Sequence, residues 1–345
     1  MRGPAMDTGA PTYGADDTGL ICGYLLRPGQ AAAPIDAAQA IAWAKADGDG
    51  VDDDAFVWLH FNLSHNAAER WLAEQGGLSE TFFETLKDDT RSTRIERADD
   101  VLIAVINDVH FDFSFEPSDL STLWVHVDRR LMVTARRQPL RSVDKLRGAV
   151  RGGIPLRSTV ELLEHLMRDQ ADVLVEIVRS VTARIDDIED QLLAGKLDTK
   201  RAKLGVLRRL LVRLQRLLAP EPASLFRLLQ HPPSWMAERD VQELRQATEE
   251  FSVVLRDMQS LQERIKLLQE EVAAQVNEQN NRSLFVLTIV TVLALPINLI
   301  AGLLGMNVGG IPLADHPHGF LVVVGLVAAL TGCLGWLAFR KNREP

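Results

Sequence analysis

The chain is 345 residues long, enough for a soluble domain and something beyond it, and carries 47 Asp and Glu against 38 Lys and Arg, a net charge of −9. The acidic excess lies in residues 1–150, with 24 acidic and 15 basic side chains against 23 of each in the remainder, which disfavours nucleic acid as a partner and is compatible with attracting cations. Two cysteines far apart, Cys22 and Cys333, imply neither a disulfide framework nor a cysteine metal cluster.

The first residues are polar and acidic, with no basic segment before an apolar run, and do not read as a signal peptide. Within residues 1–152, ICGYLL (21–26), AFVWLHF (55–61), VLIAVINDVHFDF (101–113), STLWVHV (121–127) and LMVTARR (131–137) are rich in β-branched and aromatic residues and bounded by turn formers, so they read as strands. The last two meet in a hairpin at Asp128-Arg129. Helical patterns lie at Ala37–Ala46, Ala67–Glu74 and Ser79–Lys87. Strands mixed with helices predict an α/β cytoplasmic domain over residues 1–152. His60 and His65 flank a strand end without a metal-ligand spacing and read as surface or core residues.

Past Gly152-Gly153-Ile154-Pro155 the pattern changes to long helices, assigned to a helical stalk over residues 153–283. Ser158 and Glu161 form the S-x-x-E signature of a capping box, in which each side chain satisfies a backbone N–H at the helix start. Leu163, Leu166, Leu174, Ile177, Val181, Ile188 and Leu192 then keep an apolar stripe on one face as far as Gly195. The Asp186-Asp187-Ile188-Glu189-Asp190 run reads more readily as a solvated helix face than as a cation site. A second helix covers residues 204–220. A third begins near Asp240, meets no Gly or Pro before Pro296, and would be roughly 100 Å long if unbroken to Leu304.

Residues 284–304 and 320–339 contain no charged side chain, and each is long enough to cross a hydrocarbon core of roughly 30 Å. They predict two transmembrane helices joined by an external loop, residues 305–319, and followed by a basic tail, residues 340–345. Arg282 precedes the first span, and Arg340, Lys341 and Arg343 follow the second. The loop has no Lys or Arg, so the positive-inside rule places both termini in the cytoplasm.

Within the first span Asn281, Leu284, Thr288, Thr291, Leu295, Asn298 and Gly302 alternate spacings of three and four, a 3.5-residue repeat that keeps one seam on a common axis when helices pack around one another. Positions outside the seam, such as Phe285, Val286, Ile289 and Ile300, are apolar. A polar stripe in a lipid-compatible helix faces either a bundle interior, where Thr and Asn bond helix to helix, or water. Two spans cannot enclose a channel, so a water-facing seam requires a ring of subunits.

LTIVTVLALPINLIAGLLGMN (287–307) resembles the pore helix and Gly-Met-Asn signature of the CorA-type metal ion transporters. The similarity extends to residues 91–146, to the helix ending DDIEDQLL at residue 193, and to residues 207–229. VGGIP (308–312) is similar to the family's ZntB branch, associated with zinc uptake. The resemblance implies a funnel-shaped homopentamer in the bacterial inner membrane, with the first span lining the pore and the second facing the lipid bilayer. It implies Asn307 as the ring at the external mouth, Gly305 and Met306 as the turn presenting it, and Asn298, Thr291 and Thr288 below. Leu295 and Leu284 would form apolar constrictions and Asn281 the cytoplasmic end.

Five neutral amides can accept hydrogen bonds from a cation's bound waters but lack the charge to strip those waters from Mg²⁺, so a hydrated or partly hydrated divalent cation is the expected cargo. Zn²⁺ favours His, Cys and carboxylate ligands. Near the mouth such groups are Asp315, His316 and His318, candidate zinc collectors that equally read as solvated loop residues. Zinc uptake is the expected activity, with magnesium, cobalt, nickel and cadmium as other cargoes, and no cofactor is implied. The branch is associated with proton symport, yet neither span holds an Asp, Glu, His, Lys or Arg to relay protons.

A membrane-anchored sensor with non-conducting spans is the competing reading from a different class. An enzyme is not expected: the chain has no phosphate loop, G-x-S-x-G or H-E-x-x-H.

Overall fold

A computed structural model describes residues 14–46, 54–87, 93–115, 119–194, 200–306 and 317–341. The chain divides into two compact units, residues 1–267 and 268–345.

The first unit is built on a seven-stranded sheet. Its strands are β1 (Leu20–Leu26), β2 (Ala33–Pro34), β3 (Phe56–Asn62), β4 (Arg94–Ala98), β5 (Val101–Val109), β6 (Leu120–Val127) and β7 (Leu131–Arg136), in the order β2-β1-β3-β7-β6-β5-β4. All neighbours are antiparallel except β3 and β7, which run parallel with Val57 opposite Leu131 and Asn62 opposite Arg136. The expected hairpin joins β6 to β7: the Asp128 carboxylate accepts from the Arg130 and Leu131 N–H groups, both at 2.8 Å.

Helices cover both faces of the sheet, which is why the central strands read as continuous apolar runs rather than alternating ones. One face holds Val57, Leu59, Ile103 and Val133 against α1 (Ala37–Lys45), α2 (Ala68–Gln75) and α3 (Glu80–Lys87). The opposite face holds Trp58, Leu102, Ala104, Leu123 and Met132 against α4 (Arg141–Arg151), α5 (Thr159–Leu193), α7 (Pro220–Leu228) and the start of α8 (Glu238–Leu304). Helix α6 (Lys200–Leu218) precedes α7, and α9 (Gly319–Lys341) follows α8. Strand β4 closes one edge with Arg94, Glu96 and Arg97, charges that discourage pairing with another sheet.

Polar side chains inside this unit are joined to one another. Between the parallel strands, Trp58 Nε1 donates to Thr134 Oγ1 at 2.9 Å, and His60 Nδ1 lies 2.8 Å from the same hydroxyl. Arg136 Nε donates to His60 Nε2 at 3.2 Å. A guanidinium can only donate, so Nε2 is the acceptor and Nδ1 carries the proton given to Thr134. His60 is therefore a neutral core residue, and burial, with Arg136 and Arg147 nearby, holds its pKa well below the ordinary value. Cys22 is likewise pushed up to about 12, chiefly by burial, which leaves the thiol inert.

A second buried group sits where β5, α5 and α7 meet. Gln170 Nε2 donates to the Asn107 carbonyl at 2.7 Å and to Glu221 Oε2 at 3.3 Å. Asp108 Oδ1 accepts from Val109 N at 2.7 Å, and Oδ2 accepts from both Ser142 N and Ser142 Oγ at the start of α4. Glu221 is 0% exposed. It stands in the first turn of α7, where the helix end favours a carboxylate by roughly 0.3–1 kcal/mol. Removing a carboxylate from water costs several kcal/mol, so burial wins and the acid stays neutral.

Helix α5 starts at Ser158, whose hydroxyl oxygen accepts from Glu161 N at 3.0 Å. The return bond of the expected capping box goes one residue further back: Glu161 Oε2 accepts from Arg157 N, and the same carboxylate grips the Arg157 guanidinium. Arg157 also reaches Glu243 on α8 at 2.9 Å, tying the two helix starts together. Helix α5 ends at Leu193, and Gly195 lies outside the described residues.

Candidate functional site

The second unit consists of the membrane-length part of α8 and helix α9. Both are long and apolar enough to cross a membrane, and their apolar stretches are 0% and 6% buried, which argues against a soluble core pair. Helix α8 continues through Pro296, which supplies no N–H to the Val292 carbonyl one turn earlier. It stops at Leu304. A Cβ on Gly305 would fall 2.9 Å from the Ala301 carbonyl oxygen, so a residue without a side chain is needed there.

The seven seam residues, Asn281, Leu284, Thr288, Thr291, Leu295, Asn298 and Gly302, are all exposed, whereas Phe285, Ile289, Leu293, Ile300 and Leu304 are half-buried. Ile297, Ile300 and Leu304 face α9 across an apolar groove of about 930 Å³, bordered on α9 by Phe320, Val323 and Val327. At about 100° per residue the seam occupies an arc of roughly 100°, centred roughly 150° from that face. The polar stripe thus lies on the side of α8 that α9 leaves open.

The threonines present a defined polarity on this stripe. Thr288 Oγ1 donates to the Leu284 carbonyl at 2.7 Å, and Thr291 Oγ1 donates to the Leu287 carbonyl at 2.9 Å. Each hydroxyl proton is engaged by the helix backbone, so what remains available outward is the oxygen lone pair.

Met306 is 50% exposed at the end of the helix. Asn307, Asp315 and His316 lie outside the described residues. His318 is exposed and sits just before α9, with its carbonyl accepting from Val322 N at 3.2 Å. Among the described residues there is no group of three His, Cys, Asp or Glu that could hold a metal. In the soluble unit, the acidic run contributes an ion pair: Arg264 Nη2 lies 2.7 Å from Asp186 and also bonds Glu189, joining α5 to α8.

A family model described as CorA-like Mg²⁺ transporter protein matches residues 53–341, which include five of the seven strands, β3 to β7, the long helix and both apolar stretches. The chain belongs to that family. A curated relative, the divalent cation transporter CmaX of Pseudomonas aeruginosa, is 30% identical over 292 residues, 83% of this chain and 87% of the relative. The zinc transport protein ZntB of Pectobacterium carotovorum is 24% identical over 294 residues, 85% of this chain and 90% of the relative. A solved structure of full-length CmaX superposes with a TM-score of 0.74 at 28% identity, covering 95% of this chain and 99% of that one. The expected architecture, a soluble α/β domain, a long helix and C-terminal apolar helices, is therefore that of the CorA family, whose members transport metal ions.

Sequence reasoning found the seam but not the buried polar groups. Nothing in Pro220-Glu221-Pro222 or in IND (residues 106–108) distinguishes these acids from surface ones, because their burial depends on three elements distant in sequence.

Proposed function

We propose that five copies of this chain form a pore for divalent cations in the bacterial inner membrane, both termini cytoplasmic, with zinc as the principal cargo and the α8 seam as its lining. The observation that carries the reading is the seam itself. Its polar residues lie on the face of α8 opposite the groove shared with α9, where packing against copies of the same helix can gather them around one axis.

The acceptor-only threonines support a cation as cargo. Water bound to a cation points its hydrogens outward, so oxygen lone pairs from Thr288 and Thr291 meet the hydration shell, while an anion would find no donor there. Asn298 and Asn307 add amide oxygens, Leu284 and Leu295 supply rings that close by dewetting, and Gly305 and Met306 turn the chain at the mouth. Asp315, His316 and His318, gathered from five loops, would collect zinc ahead of the Asn307 ring. The choice of zinc draws on the ZntB relatives, named for zinc transport, and on VGGIP after the Gly-Met-Asn signature.

Uptake by the purified protein in liposomes tests each part. Zinc should enter, and Asn307→Ala should reduce flux at least about tenfold, a loss of roughly 1.4 kcal/mol in cation stabilisation at the mouth. A preference for Mg²⁺, Co²⁺ or Ni²⁺ would replace zinc as cargo, and unchanged flux in Asn307→Ala would favour the sensor with inert spans. Proton symport predicts faster zinc entry under an inward proton gradient; flux indifferent to the gradient rules it out.

A further inference from the structure

Neither span contains Asp, Glu, His, Lys or Arg, so a carboxylate-based response of transport to pH must originate elsewhere. Glu221 is placed to provide one. Its carboxyl is wholly buried, Oε2 accepts from Gln170, and Oε1 meets no hydrogen-bond partner among the described residues. Gln170 is simultaneously bound to the Asn107 carbonyl, so one amide holds α7 and β5 to α5. Thr93 links α6 to the same sheet: its hydroxyl donates to the Leu217 carbonyl at 2.7 Å and accepts from Asn107 Nδ2 at 3.1 Å.

Among the described residues no cation relieves Glu221. Burial raises its pKa well above the ordinary value, Asp108 adds to the rise, and the Gln170 bond opposes it. The charged groups around this junction are Asp108 on β5, Asp169 and Asp172 on α5, and Arg141 and Lys145 on α4. The two bases act on Asp108 and Asp169 respectively, not on Glu221. Among the described residues no charged group of α6 or β4 influences Glu221. Asp108, with three donors, is the better seat for a negative charge, and Glu221 the better seat for a proton.

We propose that Glu221 is a proton-binding site whose occupancy locks α7 onto β5 and α5 and makes transport sensitive to cytoplasmic pH. Its regulatory half rests on the transport reading above. The sign follows from the two states. When α7 opens, Glu221 reaches water and ionises above about pH 4.5, whereas in the closed state it keeps its proton. The opening constant of α7 therefore rises about tenfold per pH unit until the closed state itself ionises. Acid tightens the helix and alkali loosens it.

Amide hydrogen exchange of residues 220–229 in the full-length protein, corrected for intrinsic chemical rates, reads this directly from about pH 6 to about pH 8. The wild type should lose about tenfold in protection per pH unit more than Glu221→Gln, which has nothing to ionise. Asp108 and Asp169 contribute equally to both proteins and cancel in the comparison. Equal slopes in wild type and variant would overturn the site. Should Glu221→Gln fold poorly, Glu221→Met fills the same apolar space without a titratable group and carries the same expectation. In liposomes held at equal pH on both sides, zinc flux should vary at least about threefold over this range in the wild type and stay flat in the variant. Identical pH profiles would sever Glu221 from transport. Absence of flux in any protein would sink the pore instead, while the exchange comparison still decides the proton site.

Discussion

Thr134 shows how much can depend on one hydroxyl. It is the acceptor for the Trp58 indole and the His60 imidazole, both buried between the parallel strands. Thr134→Val preserves the shape and removes the oxygen, leaving two buried donors unmatched at about 1–3 kcal/mol each. A drop of about 2–6 kcal/mol should appear as a lower urea midpoint with an unchanged slope. His60 sets a pH dependence of known sign. Its folded pKa is depressed, so the stability it contributes is present above its ordinary value near 6.5 and declines as pH falls below it, because the unfolded chain then binds a proton the folded one refuses. Glu164, raised by burial to about 7, acts in the opposite direction: its contribution is complete below about pH 4.5 and is lost as pH climbs to about 7. Comparing urea midpoints of the wild type and His60→Gln between about pH 7.5 and about pH 5.5 should isolate the histidine slope. Neither residue announced its role in sequence. A histidine at a strand end has no local mark of the hydroxyl waiting 74 residues later.

At the scale of elements, the regular apolar patterns were legible and the irregular ones were not. The strands around Trp58, Val105, Val125 and Val133 and the stripe of α5 follow from period and side-chain type. Strand β4, RIERA, carries no strand pattern in the sequence because it is five residues long and three of them are charged, as an edge requires. Helix α7 was hidden by Pro220 and Pro222: proline read as the end of the preceding helix, yet it also suits the first turn of the next. Helix α4 carried its own signal in Val143, Leu146 and Val150, masked by frequent arginines. The seam of α8 was legible as a repeat, but periodicity alone does not tell which side of a helix meets its neighbour. That came from the placement of α9 against Ile297, Ile300 and Leu304. In a background with Cys22 and Cys333 replaced by serine, Thr291→Cys should form oxidant-induced links between chains, and Ile300→Cys should not. Links at residue 300 with none at 291 would turn the helix the other way round.

For the whole molecule, the two apolar helices expose surface that one chain leaves uncovered. Leu284, Leu295 and Leu299 are each about 60% exposed or more, as are Phe320 and Trp336 on α9. Such surface is stable only against lipid or further copies. Native mass measurement in detergent should give five chains, and a different stable number would redraw the pore radius. The positive-inside placement of Arg282, Arg340 and Lys341 predicts that tags at either end are digested only from the cytoplasmic side of vesicles.

The parallel pairing of β3 with β7 has a bearing on how the protein is made. Strand β3 has no partner on that side until residue 131 has been synthesised, so the sheet closes late for its size, but still far ahead of the membrane part. Translation at roughly 5–20 residues per second separates the end of β7 from the start of the first span by roughly 7–30 seconds. During that interval the strands of the sheet are all made while the apolar stretches are not, and the sheet edge is guarded by Arg94, Glu96 and Arg97. The two apolar stretches are consequently made after every strand of the sheet.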